Sequence, residues 1–282
     1  MIYVLLLFLV TAAWGWTFVL VKDALKHYPT LPFLELRFTL ALLVMVLLVR
    51  RLPTRREVRV GLIAGAVLAA GYWTQTIGLT MTSPGNSGII TGLFVVFTPL
   101  IDRLFGARLH WWTLIAVGAA LTGTVMLVGG PSNFGLGDLL TVACAILYAL
   151  HIVLLSKWAP GLRSAPLAMM QMGAGALIFT GTGAWSLQPP TPNVWFAVVV
   201  TGVFASALAF YIQTWAQQHL SASRTALILT TEPAWALLAA VVLAGQRFGP
   251  LQAAGAALVL AAIVGHELAH LIFKAHGDEA KT

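Results

Sequence analysis

Glu232 lies within an apolar run and immediately precedes Pro233. A charged carboxylate at mid-bilayer depth costs about 2.5–3.5 kcal/mol on insertion scales, so such a group faces protein or water and is often neutral. Two kinds of chemistry suit it. One is structural: Pro233 has no backbone N–H and leaves the Leu229 carbonyl without its helical donor, which a protonated Glu232 would replace. The other is transport, in which the carboxyl binds a proton or a substrate amine that comes and goes.

Other polar groups in apolar surroundings are few. Gln75 and Tyr72 are three residues apart and share a helix face, as do Gln213 and Phe210, with Tyr211 and Thr214 on the neighbouring face. Amides that hold a polar end and rings that cover an apolar one suit a small amphipathic solute. Bonding between helices by glutamine is the other reading. His151 is either a ligand group or proton relay, or a hydrogen-bonded core histidine. Glu35 and Arg37, two apart, point to different faces and cannot pair with each other. Snorkelling to the nearer membrane interface accounts for both. Trp14, Trp16, Trp73 and Trp235 fall within apolar runs, facing either a cavity or lipid, whereas Trp111, Trp112, Trp158, Trp185 and Trp195 flank them as interfacial anchors. His266-Glu267-Leu-Ala-His270 fits the H-E-x-x-H pattern of zinc hydrolases, with both histidines on one helix face. No third ligand accompanies it: Asp102 and Asp138 stand at the ends of apolar runs, Asp138 on the opposite membrane face. No metal, cofactor or enzymatic activity is expected, and no phosphate-binding loop is present.

These groups must be positioned by a membrane protein. Of 282 residues 59% are hydrophobic and 9% charged, the mean hydropathy is +0.90, and from Val60 to Ile101 there is no charge at all. That run is too long for one crossing of roughly 20 residues and suits two. Thr80-Met-Thr-Ser-Pro84-Gly-Asn86 is the turn between them. Ten spans are expected, near 2–21, 31–49, 58–79, 85–104, 111–129, 137–156, 164–186, 194–216, 225–245 and 250–272. The apolar N-terminus lacks the basic flank and cleavage site of a signal peptide and is read as a retained first span. Cys144 lies in an apolar run and, as the single cysteine, makes no intramolecular disulfide. The net charge of +7 sits in short loops, a pattern of membrane orientation and not of nucleic-acid binding. With the N-terminus cytoplasmic, twelve Lys and Arg fall inside, three outside, and Arg37 completes the 16. Both termini are therefore expected in the cytoplasm, with residues 274–282 a short tail there.

The chain also repeats. A shift of 138 carries Gln75-Thr76 onto Gln213-Thr214, Tyr72 onto Phe210 and Ser83 onto Ser221. Small slips then bring Gly106-Ala-Arg108 onto Gly245-Gln-Arg247, and Trp16 to Lys22 resembles His151 to Lys157. Arg37 corresponds to Gln171. Ten spans divide into five and five, residues 1–130 and 135–273, and an odd number per repeat inverts the second half. Inverted repeats can exchange conformations around a site near the midplane, opening to either side. Pro99 and Pro233, ending corresponding helix pairs, are the expected hinges. Gly61-xxx-Gly65, Gly88-xxx-Gly92 and Ala253-xxx-Ala257 offer small faces for close helix packing.

Trp14-Gly-Trp-Thr-Phe18, Arg37-Phe38, Gly137-Asp-Leu-Leu140 and Glu232-Pro233, in this order, resemble the drug/metabolite transporter superfamily, specifically its ten-helix EamA-type members. The resemblance covers all ten spans. The family often carries Gly-Glu-Arg-Leu after its fourth and ninth spans; here stand Gly106-Ala-Arg-Leu109 and Gly245-Gln-Arg-Phe248, so no role falls to those loop glutamates. The resemblance implies secondary transport of small metabolites out of the cytoplasm through a cavity lined by spans 1, 3, 4, 6, 8 and 9. It places Trp14, Tyr72, Gln75, Asn86, Tyr148, His151, Tyr211, Gln213, Glu232 and Trp235 there. A lining rich in rings and poor in charge is most similar to that of the YddG-type exporters of aromatic and other neutral amino acids. Drugs, purines and nucleotide sugars are the alternative cargoes. The partners implied are a small-molecule substrate and the lipid bilayer; coupling is either to a proton bound at Glu232 in antiport, or absent in a uniporter running down an export gradient.

Overall fold

A computed structural model describes residues 2–106, 111–127, 133–182, 189–220, 222–229 and 231–279; some helical side chains, those of His266, Glu267 and His270 among them, lie outside the description. Every regular element among the described residues is helical. The helices are α1 (Ile2–Ala24), α2 (Thr30–Leu48), α3 (Arg55–Met81), α4 (Pro84–Thr91), α5 (Phe94–Leu104), α6 (Trp111–Leu127), α7 (Leu136–Trp158) and α8 (Ser164–Gly181). Then come α9 (Pro192–Val199), a π-helical stretch (Val200–Leu208), α10 (Ala209–Gln217), α11 (Ala222–Leu229), α12 (Glu232–Val242) and α13 (Pro250–Glu279). Helical backbone falls in each of the ten expected intervals. Six runs are long and apolar enough to cross a membrane: Ile2–Ala24, Thr30–Leu48, Arg55–Met81, Pro84–Leu104, Leu136–Trp158 and Pro192–Gln217. The protein is an all-helical, polytopic membrane protein. Leu5, Leu47, Leu177 and Phe204 are exposed on its outside, where lipid tails accept them.

Local sequence sets the helix ends. Thr54 accepts from the Glu57 N–H at 3.3 Å while its own N–H donates to the Glu57 carboxylate at 2.7 Å, a reciprocal cap that starts α3. Past the end of α3, Ser83 caps α4 by accepting from the Asn86 N–H at 3.2 Å, with Pro84 in the first turn. The expected turn at 80–86 is therefore a helix stop followed directly by a cap.

Two of the expected spans are broken. Between α4 and α5 the chain tightens at Gly92 and Leu93, where the Leu93 N–H donates to Ile90 and the Val96 N–H to Leu93, three residues back. The second interruption is at Thr231, directly before Glu232 and Pro233 begin α12. Pro233 thus sits beside a break, but Pro99 does not: it lies inside α5, which continues through it. The discontinuity of the fourth span is about two turns earlier, where Gly92 offers no side chain. There the two breaks meet, for a Cβ on Gly92 would collide with the Pro233 ring.

Contacts between the halves come in matched pairs. α3 packs on α7 and α8, and the Pro192–Gln217 rod packs on α1 and α2. α1 lies along α12, and α7 along α4 and α5. α4 meets α12, α2 meets α8, and α6 pairs with α13. Close approach uses the predicted glycines: a Cβ on Gly65 would stand 2.6 Å from the Gln171 Cα. The alanine stripe of α13 behaves otherwise. Ala253 and Ala257 are exposed, and Gly255 instead faces α6, where a Cβ on Gly123 would lie 2.8 Å from the Gly255 carbonyl.

Polar links tie the halves at both faces. At the face carrying the α2–α3 connection, buried Glu57 accepts from the Arg163 backbone N–H, Nε and Nη2 at 3.0, 2.9 and 2.7 Å, and Lys157 pairs with Asp102 at 3.0 Å. At the α3–α4 face, Thr82 donates to Asp138 at 2.7 Å and Gln246 donates to Ser83 at 2.9 Å. Lys22 binds the carbonyls of Leu79, Thr80 and Thr82 there, capping the end of α3.

Leucine at Gly65 should lower the melting midpoint of the detergent-solubilised protein clearly, since overpacking a tight contact costs about 1–3 kcal/mol. Leucine at exposed Ala253 should leave it unchanged. Equal midpoints in scanning fluorimetry would contradict the α3–α8 packing.

Candidate functional site

A cavity opens among α1, α2, α3, α5, α7, α10, α11 and α12. Its lining runs from mid-depth residues such as Trp14, Tyr72 and Glu232 to Val21 and Leu79, near the ends of α1 and α3. It is therefore displaced toward the α3–α4 face, away from the Glu57–Arg163 pair.

Rings form its walls. Tyr72 of α3 stands edge-on to Phe38, Tyr148 and Phe210, with centroids 5.2, 5.6 and 6.0 Å apart. Trp14 of α1 packs on Phe210 at 5.3 Å, and His151 meets the same ring edge-on at 5.8 Å. Edge and offset contacts of this kind are the favoured aromatic geometries. The repeat thus brings Tyr72 and its counterpart Phe210 into direct contact in the middle of the molecule.

The π-helical stretch anchors the wall. Ala205 accepts from the Trp14 indole at 2.8 Å, and Ser206 accepts from Arg37 Nε at 2.8 Å. Arg37 Nη2 donates to the Tyr72 hydroxyl at 3.1 Å, and the guanidinium carbon lies 4.3 Å from the Tyr72 ring centroid. Widened turns of this type frequently mark functional positions in helices. The expected snorkelling of Arg37 does not occur: it is 3% exposed, because it lies on the buried stripe Phe33, Leu34, Arg37, Phe38, Ala41 and Met45 of α2. Glu35, off that stripe, is half-buried and accepts from Thr180 at 3.4 Å.

The two glutamines differ in their bonding. Gln75 accepts from Tyr148 at 3.2 Å and donates to Thr91 at 3.2 Å. Gln213 donates to Gln217 at 3.1 Å, while its Oε1 has no partner among the described residues. His151 bonds Gln171 at 2.8 Å, and Gln171 donates on to Thr214 at 3.1 Å. Glu232 is 5% exposed and begins α12, where an acidic group meets the positive end of the helix dipole. It makes no hydrogen bond or ion pair with another described residue, so the expected bond to the carbonyl freed by Pro233 is absent. Its carboxyl lines the cavity instead.

Trp14, Tyr72, Gln75, Tyr148, His151, Gln213 and Glu232 are thus brought together around one space. Asn86, Tyr211 and Trp235 are not. Asn86 belongs to the first turn of α4 beside the Ser83 cap, Tyr211 is half-buried and off the lining, and Trp235 packs edge-on to Phe8 at 5.7 Å. Trp16 and Trp73 also stand outside the cavity. Arg37, read as snorkelling, belongs to the lining, and so does Phe210, which shares the Gln213 face but was not among the cavity residues the resemblance implied. The signal for Phe210 was its repeat relation to Tyr72, and for Arg37 a stripe that apolar flanks conceal. The zinc-hydrolase residues His266, Glu267 and His270 have side chains outside the described part of the structure.

Comparison with known proteins agrees with this architecture. A protein described as an uncharacterized transporter of Archaeoglobus fulgidus is 30% identical over 267 residues, covering 91% of this chain and 82% of that protein. YedA of Escherichia coli strain K12, described as an uncharacterized inner membrane transporter, is 24% identical over 280 residues, or 95% and 92% of the two chains. A crystal structure shares the fold with a TM-score of 0.69 at 21% identity, covering 94% of this chain and 95% of its own. The model of the EamA-like transporter family matches twice, over residues 1–129 and 135–266. On that match the chain belongs to the EamA-like transporter family.

Proposed function

We propose that the protein is a secondary transporter that exports small metabolites, foremost aromatic and other neutral amino acids, by alternating access. It crosses the cell inner membrane ten times as two inverted halves, residues 1–130 and 135–273, with both termini cytoplasmic. The family supplies transport, and the inner-membrane description of YedA supports the location. The matched packing of the halves supports the inversion, since the most extensive contacts of first-half helices on the second half have exchanged counterparts.

The observation that carries the substrate class is the lining: rings on every side, with Arg37 and Glu232 the charged groups among them. Apolar walls with a few placed polar groups are what an amphipathic solute of amino-acid size requires. A nucleotide sugar would ask for several cations, whereas Arg37 is the one cation among the described lining residues. Glu232, without a partner among the described residues, is available to a proton or a substrate amine during the cycle. The reading is tested by uptake of a panel of amino acids into liposomes holding the purified protein, with and without a pH gradient. Transport confined to drugs or purines would replace the substrate class.

Two outcomes are expected. Glu232→Gln should abolish the pH-dependence of flux while leaving the protein folded; a variant with an unchanged pH profile removes Glu232 from coupling. Arg163→Ala should loosen the face held by Glu57, which keeps two Arg163 donors at under 3 Å. A cysteine at Ile152, in a Cys144→Ala background, should then react faster with a water-soluble thiol reagent added from the α2–α3 face. An unaltered labelling rate would mean that this pair does not restrain opening.

A further inference from the structure

Arg37 is a cation buried in the middle of the molecule whose bonding is incomplete. Its Nε donates to Ser206 and one terminal nitrogen, Nη2, to Tyr72 and at 3.5 Å to the Ala205 carbonyl. These acceptors are all neutral. No ion pair among the described residues includes Arg37, and Nη1 has no protein partner among them. A guanidinium taken out of water without a counter-charge is costly unless an anion completes it. The side chain cannot relax toward an interface, because Ser206 and the Tyr72 ring hold it on two sides. Its free edge belongs to the cavity.

Acceptors without donors border the same space. The Gln213 Oε1 is buried and unpartnered among the described residues, and the Glu232 carboxyl makes no bond to another described residue. The cavity therefore offers a cation lacking an anion, acceptors lacking a donor, and rings between them. We infer that Arg37 is the specificity-determining seat of the substrate's carboxylate, and that the site takes α-amino acids as zwitterions, with the ammonium group at Gln213 and Glu232. This rests on the amino-acid reading above and narrows it. Simple amines, amides and uncharged aromatic drugs lack the group that would complete Arg37. Planar two-point pairing with a carboxylate is what guanidinium geometry favours, and lysine does not reproduce it.

The test is binding to the purified full-length protein in detergent micelles, with labelled L-tryptophan as the probe and L-tryptophan, L-tryptophanamide and tryptamine as competitors. In the wild type the free acid should compete at least about tenfold better than either analogue, the loss expected for one charged hydrogen-bonding contact. Arg37→Gln should erase that preference, binding acid and amide alike, while Arg37→Lys should retain part of it. Should the glutamine variant fail to fold, judged by size-exclusion profile, the wild-type comparison and the lysine variant still decide. A wild type that binds amide and acid equally, or a glutamine variant that keeps the preference, overturns the role of Arg37 and leaves amino-acid export standing. A wild type that binds none of the three, and no other amino acid of the panel, removes the amino-acid reading itself and this inference with it.

Discussion

A bilayer interior supplies no hydrogen bonds, and this constraint organises the molecule. Each backbone N–H and carbonyl must be satisfied within the protein, so the chain runs as helices wherever it meets lipid. Interruptions are tolerated only where protein or a cavity surrounds them. Both interrupted spans obey this: Gly92 and Leu93 are buried, as are Glu232 and Pro233 directly after the second interruption, and Pro233 lies against Gly92. A helix that begins inside the protein brings its polar end there, and here that end carries Glu232.

Packing follows from the same solvent. Lipid tails are as apolar as leucine, so helices gain little by merely hiding apolar surface and associate through close fit. Gly65 against Gln171 and Gly92 against Pro233 are places where only hydrogen in the side-chain position allows contact. The π-helical stretch adds a different device. Its Ala205 carbonyl and Ser206 hydroxyl tie down Trp14 and Arg37, converting an irregular segment into the support of the aromatic wall.

Charge is distributed by depth. At the face of the α2–α3 connection, Glu57–Arg163 and Asp102–Lys157 join the two halves with ion pairs. At the α3–α4 face one carboxylate and neutral groups do so, and the cavity reaches farther toward it. Between the faces stand Arg37 and Glu232, each without an ionic partner among the described residues. A protein that must bind and release cargo gains from such incomplete groups, because a fully paired site would offer a ligand nothing.

Much was legible in the residues. The uncharged run from Val60 to Ile101, the Thr80–Asn86 turn, the membrane class and the echo of Tyr72-x-x-Gln75 in Phe210-x-x-Gln213 all follow from spacing and polarity along the chain. What spacing did not reveal was direction around each helix. In a soluble protein the polar face marks the outside, whereas here lipid-facing and interior positions are equally apolar, so Arg37 read as a snorkelling cation and Trp235 as a cavity wall. Gly92, not Pro99, bears the break because the neighbour that presses there, Pro233, is 141 positions away in the chain. The sequence by itself determined the membrane class and the all-helical character of the chain, because long uncharged apolar runs leave a bilayer-spanning helix as their only stable form. Only the tertiary structure decided which side of each helix meets the cavity, because contacts across the two halves, and not hydrophobicity, set helix rotation in a solvent that accepts every apolar face.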